Sequence, residues 1–97
     1  MEMDNTDMKS YLIVYRLGFP EVSYPKLIAY LKTAPQWARP FDCAWLIKTT
    51  TGVAEIRDGI RDRMNRNDRV LVIEVTSNNW ATFLISKEVT DWMKNNL

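Results

Sequence analysis

The hydrophobic pattern opens at Ser10. The run Tyr11-Leu12-Ile13-Val14-Tyr15-Arg16-Leu17 is β-branched and aromatic, apolar on both alternating faces, and closed by Gly18 and Pro20. It predicts a first strand ending in a turn. Residues 1–9 before it are polar and acidic without periodicity, which predicts a loose tail. Ser23 offers a capping oxygen and Pro25 suits a first helical turn. Tyr24, Leu27, Ile28 and Leu31 follow at i, i+3, i+4 and i+7, the stripe of a helix that stops before Pro35. The link 35–40 carries two prolines and cannot continue it.

A second strand is predicted over 41–49, with Cys43, Trp45 and Ile47 on one side and Ala44, Leu46 and Lys48 on the other. Thr50 and Thr51 offer a cap for a second helix with the buried stripe Val53, Ile56, Ile60 and Met64, and residues 65–68 form the turn that stops it. Val70-Leu71-Val72-Ile73-Glu74-Val75 is a third strand. Asn78-Asn79 marks a turn. Residues 80–85 then read as a short fourth strand that pairs back on the third or reaches a neighbouring subunit. Ser86 caps a last helix with Val89, Trp92, Met93 and Leu97 at helical spacing.

Amphipathic helices between strands suit an α+β, ferredoxin-like plan: one sheet, two helices on one face, a short C-terminal helix, and a single domain over 10–97. A sheet with one face in water should alternate apolar with polar residues, and these strands do not. Leu12 and Val14 oppose Ile13 and Tyr15, and Leu71 and Ile73 oppose Val70 and Val72. At about 25 cal/mol per Å², leaving such side chains bare costs several kcal/mol, so the second face needs a cover. A homodimer packed sheet against sheet supplies one. The alternative is the last helix folding under the sheet with Trp92 and Met93; its shortness and few apolar residues predict that it shields only an edge or braces the dimer.

The chain of 97 residues and 11.4 kDa is the size of one domain, and 46% hydrophobic with 26% charged residues describes a globular protein. A net charge of +1 does not advertise nucleic acid or membrane, so any such surface must be local. Cys43 stands alone and no leader pattern precedes the first apolar run, which favours a reducing, cytoplasmic setting. No apolar stretch is long enough to span a bilayer. The absence of histidine excludes imidazole general bases, Ser-His-Asp and Cys-His pairs and histidine zinc sites. The glycines stand apart at 18, 52 and 59, so no phosphate loop exists, and nothing calls for a cofactor.

The opening strand and its turn, the Tyr24-Pro25 start of helix one with Leu27-Ile28, the Trp37 to Pro40 link, Ala44-Trp45-Leu46-Ile47, and Ser86-Lys87-Glu88-Val89 resemble the small bacterial and phage proteins labelled SinR-like. These are similar to the CRISPR-associated protein 2 and virulence-associated protein D families. The resemblance covers residue 10 to the C-terminus. It implies a βαββαβ core that dimerises through the sheet, in a superfamily of metal-dependent nucleases, toxin ribonucleases and architectural DNA-binding subunits. The nucleases carry an aspartate at the end of strand one, where this chain has Tyr15-Arg16-Leu17. A guanidinium cannot ligate Mg²⁺, so a metal-nuclease mechanism is not expected, and no metal or catalytic residue is assigned. Asp42 is the nearest other carboxylate and more naturally ends the proline-containing link.

Arg16 has two readings: a phosphate fork at the dimer edge, or one half of an ion pair across the interface. Arg57 and Arg61 lie one helical turn apart within 57–69, where arginines exceed aspartates by two, and they either follow a nucleic-acid backbone or belong to a solvated face with Asp58–Arg61 and Asp62–Arg66 pairs. Arg39 and Lys48 interleave with aromatic residues that form a stacking platform or, for all but Trp37 in its loop, core. Cys43, alternating with Trp45, reads as buried and inert. The sequence thus points to a non-catalytic homodimer that binds DNA or RNA, with nucleic-acid-binding candidates Arg16, Arg39, Lys48, Arg57 and Arg61. The alternatives are a nuclease or toxin-like ribonuclease with a displaced acid, and a protein-binding accessory in host–phage conflict.

Overall fold

The computed structural model describes residues 8–76 and 79–97. The chain forms β1 (Lys9–Arg16), a 3-10 turn (Glu21–Ser23), α1 (Pro25–Leu31), β2 (Gln36–Phe41), β3 (Ala44–Thr49), α2 (Val53–Arg61), β4 (Arg69–Glu74) and α3 (Lys87–Asn96). It is an α+β arrangement with one four-stranded antiparallel sheet in the order β2-β3-β1-β4. Most of the expected tail lies outside the described residues, and Lys9 already belongs to β1. Asn78 of the expected turn also lies outside them.

Alternation along β1 sends Tyr11, Ile13 and Tyr15 into the core, where they meet Leu27 and Leu31 of α1, Ile56 and Ile60 of α2, and Trp45 and Ile47 of β3. Val70 and Val72 of β4 pack against the same cluster. Ile13, Leu27, Trp45 and Ile60 are fully enclosed, and each such burial contributes about 1.5–3 kcal/mol. Gly59 of α2 faces Tyr30 of α1: a Cβ there would collide with the ring and hydroxyl of Tyr30, which is itself capped by the Arg63 guanidinium 4.3 Å from the ring centre. Gly59→Ala should therefore destabilise the fold by about 1–3 kcal/mol, because overpacking outweighs the gain in helix propensity. A urea midpoint equal to or above that of the parent would contradict this contact.

Four expectations need correction. The predicted strand over 41–49 is a hairpin whose first arm, β2, runs through the supposed proline link. β2 is an edge strand, where Pro40 forfeits no ladder bond that the sheet needs, and the register shifts between Ala38 and Phe41. Cys43 is consequently a turn residue and is exposed. Residues 80–85 form no strand: they run irregularly, with Leu84 at φ 60° in the left-handed region. The expected caps Ser23, Thr50 and Thr51 do not cap; Tyr24 and Gly52 occupy those positions without a side-chain bond, and Val53 at the start of α2 is exposed. Ser86 does cap α3, its hydroxyl accepting from the Val89 N–H at 3.3 Å.

The second face of the sheet is partly covered from within the chain. The Ser10 hydroxyl donates to the Asn96 carbonyl at 2.8 Å, tying the end of α3 to the start of β1. Between helix and sheet lies an apolar cavity of about 400 Å³, lined by Leu12, Leu46, Trp80, Phe83, Met93 and Leu97 among others. Over β4 the face stays open, and Leu71 and Ile73 are 59% and 47% exposed.

Candidate functional site

Arg16 ends β1 on the second face, following Leu12 and Val14 in the alternation. The β1–β4 register sets it directly opposite Arg69, the first residue of β4. Cα atoms so paired lie about 4.5–5.5 Å apart. Both arginines are exposed, and neither makes an ion pair or side-chain hydrogen bond among the described residues. Like charges directly opposite across a ladder destabilise it. The arrangement is held by the apolar pairs beside it, Tyr15 with Val70 and Val14 with Leu71. Arg66, in the turn leading to β4, is also exposed.

Asp68, next to Arg69 in the sequence, is already committed. One oxygen accepts from the Gly18 N–H and the other from the Asn65 N–H, both at 2.8 Å. Asn65 in turn donates to the Tyr24 hydroxyl at 2.8 Å, so the turn is tied to α1. Partial burial works against the Asp68 charge, but the hydrogen bonds from the Tyr24 side and from these two amides prevail and hold its pKa below the ordinary carboxylate value. A lowered folded pKa contributes stability that is complete above the unfolded value, near about 4, and is lost as pH falls through the folded value. Asp68→Asn should flatten the acid limb of a stability-versus-pH curve and lower neutral stability by about 1–2 kcal/mol. An unchanged acid limb would remove Asp68 from that role.

The other sequence candidates are dispersed. Lys48 sits opposite Ser10 and Gln36, at the far end of β1 from Arg16, a separation of about 20 Å at the usual strand rise. Arg57 and Arg61 lie on α2, across the sheet from Arg16. Arg57 meets Asp58 at 2.8 Å, and Arg61 lies 3.5 Å from Asp58 and 3.8 Å from Asp62. These exposed pairs contribute little to stability and leave the guanidinium groups in solvent.

Arg39 is part of the architecture. Its guanidinium pairs with Glu21, lies 4.7 Å from the centre of the Trp45 ring, and donates to the Asp42 carbonyl at 2.9 Å. Trp45 Nε1 donates to the Tyr15 hydroxyl at 2.9 Å, and that hydroxyl shares its hydrogen between Glu21, at 3.0 Å, and the Asp42 carbonyl, at 3.1 Å. Burial raises the Tyr15 pKa; the Trp45 N–H opposes this and the Glu21 carboxylate adds to it, so the phenol stays protonated as a donor. The network fastens the β2–β3 hairpin and the 3-10 turn to β1. Trp37 stands on β2 rather than in a loop, tilted against Trp45 at 5.3 Å with the Lys32 ammonium 5.5 Å from its ring. Asp42 is exposed in the hairpin turn, and among the described residues no three His, Cys, Asp or Glu side chains gather where they would hold a metal ion.

Arg16 therefore gains a partner that sequence reasoning missed. Arg69 is the last residue of the 57–69 segment read as a solvated basic stretch, and only the long-range register of β1 against β4 reveals what it faces. The chain matches no protein-family model, no curated protein and no solved structure. No helix among the described residues is long and apolar enough to cross a membrane.

Proposed function

We propose that the protein is a non-catalytic homodimer, of ferredoxin-like βαββαβ plan, that binds nucleic acid through arginines at the end of its sheet. The carrying observation is Arg16, exposed and without a carboxylate partner, on the same sheet face as the uncovered Leu71 and Ile73. An uncompensated guanidinium beside an apolar patch suits a surface that meets both a second copy and a polyanion. The element order β1-α1-β2-β3-α2-β4 supports the fold assignment, and the arginine at the end of strand one supports binding over metal-dependent cleavage.

The test is one preparation measured three ways: mass in solution, binding to labelled DNA and RNA across a salt series, and cleavage with and without Mg²⁺ or Mn²⁺. Expected are a mass of two chains, affinity falling steeply with salt, and no product. Arg16→Ala should weaken binding about tenfold at low salt and reduce the salt slope by about one, with the fold intact. Salt-independent binding would overturn the proposal. So would cleavage that disappears in Asp42→Ala.

A further inference from the structure

We infer that Arg16 and Arg69 form a two-guanidinium clamp for one phosphate group, whether in a nucleic-acid backbone or as free phosphate. This deepens the proposed function by naming the group recognised and a second residue that recognises it. The clamp follows from the pairing register, which fixes the two side chains as direct neighbours on one face of adjacent strands. Each guanidinium presents paired N–H donors in a planar fork, and two forks approaching from neighbouring strands match the several oxygens of a tetrahedral phosphate.

The charge balance supports an anion there. Two positive groups are juxtaposed, Arg66 adds a third in the adjoining turn, and both oxygens of Asp68, the acid next to Arg69 in sequence, are occupied by backbone amides; Glu21 and Asp42 line the hollow beside Arg16, Glu21 paired with Arg39 and neither in an ion pair with Arg16. In the free protein the pair repels, and an anion between them removes that repulsion while it gains hydrogen bonds. Elsewhere on the surface the arginines of α2 have acids beside them, as Arg57 and Arg61 do in Asp58 and Asp62. Where β1 ends and β4 begins, two opposed cations make no ion pair among the described residues.

The experiment compares thermal unfolding of the parent, Arg16→Gln, Arg69→Gln and the double variant in inorganic phosphate and in chloride at matched ionic strength. Phosphate should raise the parent's midpoint beyond chloride, each single variant should lose about tenfold in phosphate affinity, and the double variant should be no worse than either single. In phosphate-free low salt, Arg69→Gln should melt above the parent. Equal action of phosphate and chloride on the parent would overturn the clamp, as would an undiminished phosphate response in Arg69→Gln. Both results are also what arginines occupied by carboxylates of a second copy would give. Oligonucleotides with and without a 5′-phosphate complete the test. Equal binding of both, with affinity lost in Arg69→Gln, places the clamp on the backbone. A phosphate response with no oligonucleotide binding keeps the clamp for free phosphate and refutes the nucleic-acid reading. Salt-dependent oligonucleotide binding untouched by Arg69→Gln keeps that reading and refutes the clamp.

Discussion

Trp45→Ala should remove a large share of the stability of this protein. The indole is fully enclosed between the sheet and the two helices, donates to the Tyr15 hydroxyl, and carries the Arg39 guanidinium on its face. Removing it opens a large cavity, which for buried aromatic residues costs about 3–5 kcal/mol, and leaves two polar partners to find new bonds. Against a typical total of about 5–15 kcal/mol, a domain of this size would be marginal or unfolded at 37 °C. Trp45→Phe keeps most of the volume and loses the N–H bond, so its cost should be about 1–2 kcal/mol. Urea unfolding followed by far-UV circular dichroism distinguishes them. A midpoint for the alanine variant close to that of the parent would mean that the hairpin is held by something other than this residue.

The second large effect is on association. Replacing both Leu71 and Ile73 by Asp should leave folding nearly unchanged, since each side chain already points into solvent over β4. In a dimer that buries this strip, the same pair of substitutions places charges against an apolar surface, and two central anchors together account for about a hundredfold or more in dissociation constant. Sedimentation or light scattering at micromolar concentration should therefore report a shift from two chains to one, with an unaltered circular dichroism spectrum. Retention of the parental mass would exclude this strip from the interface. A matched pair of substitutions at the exposed α2 positions Arg57 and Arg61 serves as the control and should not change the mass.

Much of the fold was legible because local pattern and tertiary burial agree. β1, α1, α2, β4 and α3 all stand where apolar periodicity places them, and Ser86 announces the start of α3 by its chemistry. β2 was hidden because Pro35 and Pro40 signal a break in any local reading, and tolerance of proline on an edge strand is a property of the sheet. The misplacement of Cys43 follows from that single error, since joining the two arms removes the turn. The site was less legible. Arg16 stands out by its place at a strand end, whereas Arg69 acquires meaning only from the strand it faces. Arg39 looks free in sequence and is held by Glu21, eighteen positions earlier, through a contact that no spacing rule encodes.

The two rims of the sheet are unlike each other. On one, Pro40 supplies no main-chain donor and the ladder is interrupted between Ala38 and Phe41; on the other, β4 runs for six residues without proline. Irregularity and proline are the means by which natural sheets refuse further strands. Were two copies to pair main chain to main chain at β4, the receptive rim of each would be used up and no place would be left for a third. Growth by strand addition would then terminate at two, with the proline that hid β2 blunting the opposite rim against further pairing.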